Sequence, residues 1–374
     1  MQWSLTLGTV RGIKIKIHLT FLLLIAWAAY NYGASAGRGW QGSLYGVLIT
    51  LALFFCVVLH ELSHSLVALR YGGRVREIEL SPIGGVSKME TMPEKPSQEF
   101  VMALAGPMVN LVIAVPLGLL VLMLIINGTI RSASHLVYLL GRPSWAGLVA
   151  NLFLDNVLLA LFNLLPAFPM DGGRVLRSTL AWRLGQRQAT RIATGVGQGV
   201  AMLLGLAGVF TSNWVLVFIA VFVFAGAQQE GRMNEVLAVL GDLRVEQALI
   251  TACQPLSPDD SLDMVLEHTL HGHPACYGVM EGERLVGLLS HEGITSALAT
   301  YGHTVHVRDV MQRDYPSVSP TDTIAKAWRL MATSGRRALP VVEDRKLLGM
   351  VTAQQIGEIY SFLAARQRQE RGLR

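Results

Sequence analysis

Charge is what this sequence has least of. Charged residues make up 15% of its 374 residues and mean hydropathy is +0.43, against roughly 25% charged in an ordinary soluble domain. That shortage points away from a soluble enzyme and makes a membrane protein the first class to test. Cysteine is also scarce. Cys56, Cys253 and Cys276 lie far apart, which excludes a disulfide framework and a CxxC zinc cluster and leaves three reduced thiols.

Long apolar runs fill the space that charge leaves. Ile17 to Gly37, Gly39 to Leu59, Phe100 to Ile130, Pro143 to Met170 (interrupted by Asp155) and Ile192 to Gln229 reach spanning length with almost no charge. The last is long enough for two spans, with a turn at Thr211, Ser212 and Asn213, so the expectation is about six transmembrane helices. The first span leads straight into further spans, unlike a cleaved signal.

Basic residues set the orientation. Arg11, Lys14 and Lys16 precede the first span; Arg70, Arg74, Arg76, Lys88 and Lys95 lie between spans two and three; Arg174, Arg177, Arg183, Arg187 and Arg191 lie between spans four and five. The opposite loops hold Arg38, Arg131 and Arg142. This bias places both termini in the cytoplasm. It also accounts for the pI of 9.2 without a nucleic-acid partner.

Short strand signals border the membrane. Ile13 to Ile17 alternates apolar and basic residues, and Val75 to Leu80 alternates before Pro82-Ile83-Gly84-Gly85, the pattern of a strand and a hairpin with one buried face. Arg11 to Ile17 and Val75 to Ser87 are therefore expected to offer edges on which an extended segment could add as a strand.

After Arg232 the composition turns soluble and the chain repeats itself at an offset of 62 residues: Val245 with Val307, Ser257-Pro258 with Ser319-Pro320, Val279 with Val341, Gly287 with Gly349, Ser290 with Thr352. Each unit reads as a Ser-Pro turn, a helix (Ser261 to Thr269; Thr323 to Ser334) and two short strands, with a frayed tail from Ala364. The repeat resembles a tandem CBS pair, a soluble α/β module, with repeats at 244–301 and 307–364. The resemblance implies adenine-nucleotide binding through Ser290 and Thr352, or homodimerisation. Gly293 and Gln355 stand where that family has its ribose-binding Asp, so a purely structural or dimerising pair remains an equal reading.

The chemistry-bearing residues come in two groups. His60-Glu61-Leu62-Ser63-His64 closes the second span. Residues four apart share a helix face, so His60 and His64 can offer two imidazoles to one Zn²⁺ with Glu61 beside them as general base. The bland alternative is the polar end of a span, but intramembrane imidazoles and carboxylates are costly without a partner or function. Pro166-Ala167-Phe168-Pro169-Met170-Asp171-Gly172-Gly173 then breaks span four. Its prolines stop the helix, and Asp171 becomes the natural third ligand. Asp155 is a rival for that place and Cys56 a candidate fourth ligand that would close the site to water.

HELSH together with Asn163-Leu164-Leu165-Pro166 through Gly173, and Ala105 to Asn110 in span three, resembles the site-2 protease family in its branch with C-terminal CBS domains. The resemblance implies one zinc per chain held by His60, His64 and Asp171, with Glu61 activating water and Asn163 contacting substrate; Asn110 is a further substrate-binding candidate. It implies a membrane protease domain over 1–232 in the cell (plasma) membrane, multi-pass, performing regulated intramembrane proteolysis on a single-pass membrane protein such as an anti-sigma factor or similar regulator. A zinc-binding membrane sensor or transporter without hydrolysis is the rival. It expects polar residues through several spans, whereas here they gather at the ends of two.

Overall fold

A computed structural model describes residues 4–82, 84–91, 95–240, 243–249, 255–272, 276–282, 284–302, 305–313, 315–344 and 346–372. The chain divides into two compact units, Met1–Asn234 and Glu235–Arg374.

In the first unit a hairpin of strands β1 (Ser4–Val10) and β2 (Ile13–His18) leads into helix α1 (Phe21–Tyr30), which continues as a π-helical turn, Asn31–Ser35. Helix α2 (Gly39–Arg70) follows, then strands β3 (Arg74–Ser81) and β4 (Gly84–Thr91), helices α3 (Pro96–Ile126), α4 (Ala133–Leu140), α5 (Trp145–Asn163), α6 (Asp171–Phe210) and α7 (Trp214–Leu240). Among the described residues five helices, α2, α3, α5, α6 and α7, are long and apolar enough to cross a membrane. The first apolar stretch is shorter than expected. Its helical part, Phe21–Ser35, rises roughly 22 Å at about 1.5 Å per residue, less than a hydrocarbon core of about 30 Å.

Large apolar side chains face outward all along these helices, among them Phe55, Val112, Leu119, Phe210 and Phe218. Water would penalise such a surface, whereas a bilayer matches it. The protein is a membrane protein. Between α5 and α6 the chain is irregular from Leu164 to Met170, as the two prolines require. The basic stretch after it is helical rather than a loop. It forms the first part of α6, and Gly185, at φ +76°, breaks the axis in a conformation that only glycine adopts freely. The turn between α6 and α7 falls at Thr211 to Asn213.

The four strands form one sheet in the order β1-β2-β3-β4, with β2 and β3 parallel and the other pairs antiparallel. The alternation in the sequence sorts the two faces. Ile13, Ile78 and Leu80 are buried, and Leu80 packs with Phe21 of α1 and Phe54 of α2. On the other face Lys16 meets Glu77 at 2.6 Å, and Lys88 bridges Glu77 and Glu79 at 2.9 and 2.8 Å. The sheet corrects one expectation. Ile13 to Ile17 is paired on both sides, by β1 and β3, so it offers no edge; of the Val75 to Ser87 segment only β4 lies at an edge of the sheet.

In the second unit the short β5 (Pro255–Leu256) precedes α8 (Leu262–Gly272), β6 (Cys276–Glu281), β7 (Arg284–Ser290) and α9 (His291–Tyr301). The turn α10 (Val307–Val310) leads to α11 (Ile324–Ser334), β8 (Ala338–Glu343), β9 (Lys346–Thr352) and α12 (Ala353–Gly372). The five strands make one sheet, β5-β6-β7-β9-β8, in which β7 and β9 join the two halves at Arg284 and Lys346. Each half keeps its own core: Leu262, Val265, Tyr277, Val279 and Leu289 in one, Ile324, Ala327, Leu339, Val341 and Val351 in the other. The tail differs from expectation. Residues 364–370 are helix formers without Pro or Gly, and α12 runs on to Gly372.

Candidate metal and catalytic site

Helix α2 carries His60 and His64 one turn apart, with both rings buried. Asp171 is the first residue of α6, delivered there by the broken segment after α5. The three side chains meet. His60 Nε2 and His64 Nε2 are 3.1 Å apart, and Asp171 Oδ2 lies 3.2 Å from the first and 3.1 Å from the second. A tetrahedral zinc with bonds of about 2.0–2.2 Å sets neighbouring ligand atoms roughly 3.3–3.6 Å apart, so this near-equilateral triangle is close to one face of such a tetrahedron. Two nitrogens and a carboxylate oxygen are also a donor set of the catalytic-zinc kind, with a fourth position left for water. The residues fit the metal.

Supporting contacts fix the ligands. His64 Nδ1 lies 2.6 Å from the Met102 carbonyl of α3, a geometry in which Nδ1 donates and Nε2 is left to face the triangle. One turn beyond Met102, Gly106 lets α3 approach both rings: a methyl there would land on His64 Nε2 and within 2.6 Å of His60 Nε2. Gly172 and Gly173 serve the third ligand in the same way, because a side chain at Gly173 would meet the Ala167 and Phe168 backbone at 2.7 Å. Their smallness permits close packing of the α6 start on the preceding turn, whereas a loop conformation would have needed their flexibility.

A buried ion cluster braces the same segment. Arg177, on α6, is ion-paired with Glu99 at the start of α3 and Glu230 on α7, and its guanidinium sits 5.0 Å from the centroid of the Phe168 ring. Glu61, one residue after His60 on α2, reaches to strand β4. Its Oε2 accepts a hydrogen bond from the Ser87 hydroxyl of β4 at 2.7 Å.

The remaining expected residues are not part of the cluster. Asn163 Nδ2 donates to the Leu159 carbonyl of its own helix at 3.0 Å. Asn110 is fully buried, and neither its Oδ1 nor its Nδ2 has a protein partner; it follows Gly106 by one turn of α3 and so shares its face. Cys56 receives a weak contact from Asn156 Nδ2 at 3.4 Å, and the metal-competent group is His60, His64 and Asp171 without it or Asp155. In the second unit Thr352 Oγ1 accepts the Gln355 backbone N–H at 3.2 Å, capping α12, while Ser290 ends β7 and its side chain lies outside the described residues. Sequence reasoning missed Ser87, Glu99, Arg177 and Glu230. The available signal was Glu99, a carboxylate at the start of a long apolar run, which calls for a cation partner when buried.

Residues 48–207 match the model of peptidase family M50, and residues 307–358 that of the CBS domain. A zinc metalloprotease of Methanocaldococcus jannaschii is 33% identical over 98% of this chain and 99% of its own length. The chain belongs to peptidase family M50. Stage IV sporulation protein FB of Bacillus subtilis is 29% identical over 48% of this chain and 58% of its own. The solved site-2 protease of M. jannaschii is 35% identical, covering 62% of this chain and 96% of that one at a TM-score of 0.43. The M50 match spans His60, His64, Asn110, Asn163 and Asp171, and the CBS match lies in the C-terminal region.

Proposed function

We propose that this protein is a zinc-dependent intramembrane endopeptidase that cleaves transmembrane segments of other membrane proteins, with its CBS pair as a regulatory or dimerisation module. The observation that carries this reading is the triangle of His60, His64 and Asp171 at 3.1–3.2 Å, built from two membrane helices. Those three side chains would hold the zinc, which when bound supplies Lewis acidity toward a water and a peptide carbonyl. Glu61, next to His60 in sequence, takes the proton from the attacking water and delivers it to the leaving nitrogen. A helical substrate hides its peptide groups in its own hydrogen bonds, so it must unwind first. The edge of β4 is where an extended segment can add as a strand, beside Glu61. Asn110, with both amide atoms unpartnered, and Asn163 are the residues we assign to contacting that segment.

The protease domain covers 1–232 and the two CBS repeats 244–301 and 307–364. The protein resides in the plasma membrane with both termini cytoplasmic, and its substrate is a single-pass membrane protein such as an anti-sigma factor or similar regulator. Adenine nucleotide at Thr352 and Ser290 would raise the melting temperature when titrated as AMP. The main test is incubation of purified wild type and Glu61→Gln with single-span substrates, with and without chelator. Wild type cleaves and stops on chelation, and Glu61→Gln keeps its zinc but not its activity; cleavage by Glu61→Gln refutes the assignment of the base. Crosslinking Val86→Cys, an exposed β4 position, to a cysteine near the scissile bond locates the substrate strand.

A further inference from the structure

Strand β4 lies along α2 with a fixed step. Gly85, Ser87 and Met89 alternate onto one face of the strand. A Cβ on Gly85 would come 2.6 Å from Glu61 Cγ and 3.3 Å from Val57 Cγ1; Ser87 donates to Glu61 Oε2 at 2.7 Å and lies 3.4 Å from the Ser65 hydroxyl; Met89 packs with Ala68. Val57, Glu61, Ser65 and Ala68 are successive turns of one face of α2. The strand is therefore docked on the helix through the carboxylate. Ser65 is not free to replace Ser87, because its hydroxyl donates to the Glu61 backbone carbonyl at 2.9 Å.

We propose that Ser87 is a positioning residue for hydrolysis: its hydroxyl ties down Glu61 Oε2 and so fixes the plane of the carboxylate, presenting Oε1 to the water. Three features support a role beyond packing. The bond, at 2.7 Å, has ordinary O–H···O geometry and joins a hydroxyl donor to the carboxyl group itself. The neighbouring position on the same face is glycine, so the strand comes close enough for a side chain as short as serine to reach. A glutamate has three rotatable bonds, and without a tether its carboxylate samples orientations that do not face the water, which lowers turnover while leaving substrate binding intact.

This inference rests on the reading of Glu61 as the base. The test uses the full-length enzyme in detergent or liposomes with a single-span substrate, comparing wild type, Ser87→Ala, Ser87→Thr and Glu61→Gln by kcat, KM and zinc content. Ser87→Ala is expected to lower kcat at least tenfold, with KM within twofold of wild type and one zinc per chain retained. Ser87→Thr, which restores a hydroxyl, recovers most of the loss. A wild-type kcat in Ser87→Ala overturns the proposal, as does a loss confined to KM, which would make Ser87 a substrate contact, or a loss that follows zinc content. An active Glu61→Gln removes the base itself, and is distinguishable from an inactive Glu61→Gln beside a fully active Ser87→Ala, which removes only the tether.

Discussion

The guanidinium of Arg177 lies over the ring of Phe168, three residues before Asp171, while its nitrogens pair with Glu99 and Glu230. One buried cation thus holds the broken segment that carries the third ligand against α3 and α7. Arg177→Met would leave the Glu99 carboxylate buried and unpaired, a change that costs roughly 3–5 kcal/mol. The expected result is a lower melting temperature in detergent together with weaker zinc retention, and the double variant with Glu99→Gln should regain part of the stability. Unchanged melting in Arg177→Met would show that the cluster does not brace the fold.

Gly106 sets the approach of α3 to the two imidazoles. Gly106→Ala places a methyl against His60 and His64, in a region where neither ring can retreat because both are buried. Zinc content and activity should fall together, with the helical circular dichroism unchanged. A fully metallated Gly106→Ala would mean that α3 yields at little cost.

Asp171→Ala removes one corner of the triangle while sparing both imidazoles. Zinc should dissociate at lower chelator concentration than from wild type, measured by competition with a chromophoric chelator. By contrast Glu61→Gln should retain the metal and lose about 10²–10⁴-fold in turnover, the range for a general base. Equal zinc affinity in Asp171→Ala would place the third ligand elsewhere.

The membrane-edge sheet should respond to acid. Burial pushes the Glu77 carboxyl up, but the hydrogen bonds and charges of Lys16 and Lys88 outweigh it and hold the group below its ordinary value; Lys88 is raised in turn by Glu79 and Glu77. A depressed folded pKa means the stabilisation is full above the unfolded value, about 4.3, and disappears as pH falls through the folded one. Protection factors in β2, β3 and β4, which allow for the slower intrinsic amide exchange in acid, should therefore fall below about pH 4 relative to pH 7, and Glu77→Gln should flatten that response.

Thr352 caps α12 through the Gln355 N–H. Thr352→Ala should cost about 1 kcal/mol, read as a lower melting point of the second unit, and Thr352→Ser should restore it. No change in Thr352→Ala would mean that the cap contributes nothing to stability.

Much of this protein was legible because the relevant signals are local. The scarcity of charge and the length of the apolar runs fix a membrane class through solvation alone, four-residue spacing puts His60 and His64 on one face, and the offset between Val245 and Val307 reveals two copies of one unit. The prolines before Asp171 likewise announce a break wherever they occur in a helix. Strand order was not legible: β2 alternates like an edge strand, yet β1 and β3 flank it, and pairing depends on segments distant in sequence.

What sequence by itself determined, then, was chemistry: which side chains could bind a metal, which could move a proton, and which stretches prefer lipid to water. Tertiary structure decided proximity. The approach of Asp171 to two histidines more than a hundred positions earlier, the seat of Gly106 against their rings, and the reach of Ser87 to Glu61 all depend on how α2, α3, α6 and β4 pack. Packing is a collective balance of many weak contacts, so no single stretch of chain encodes it.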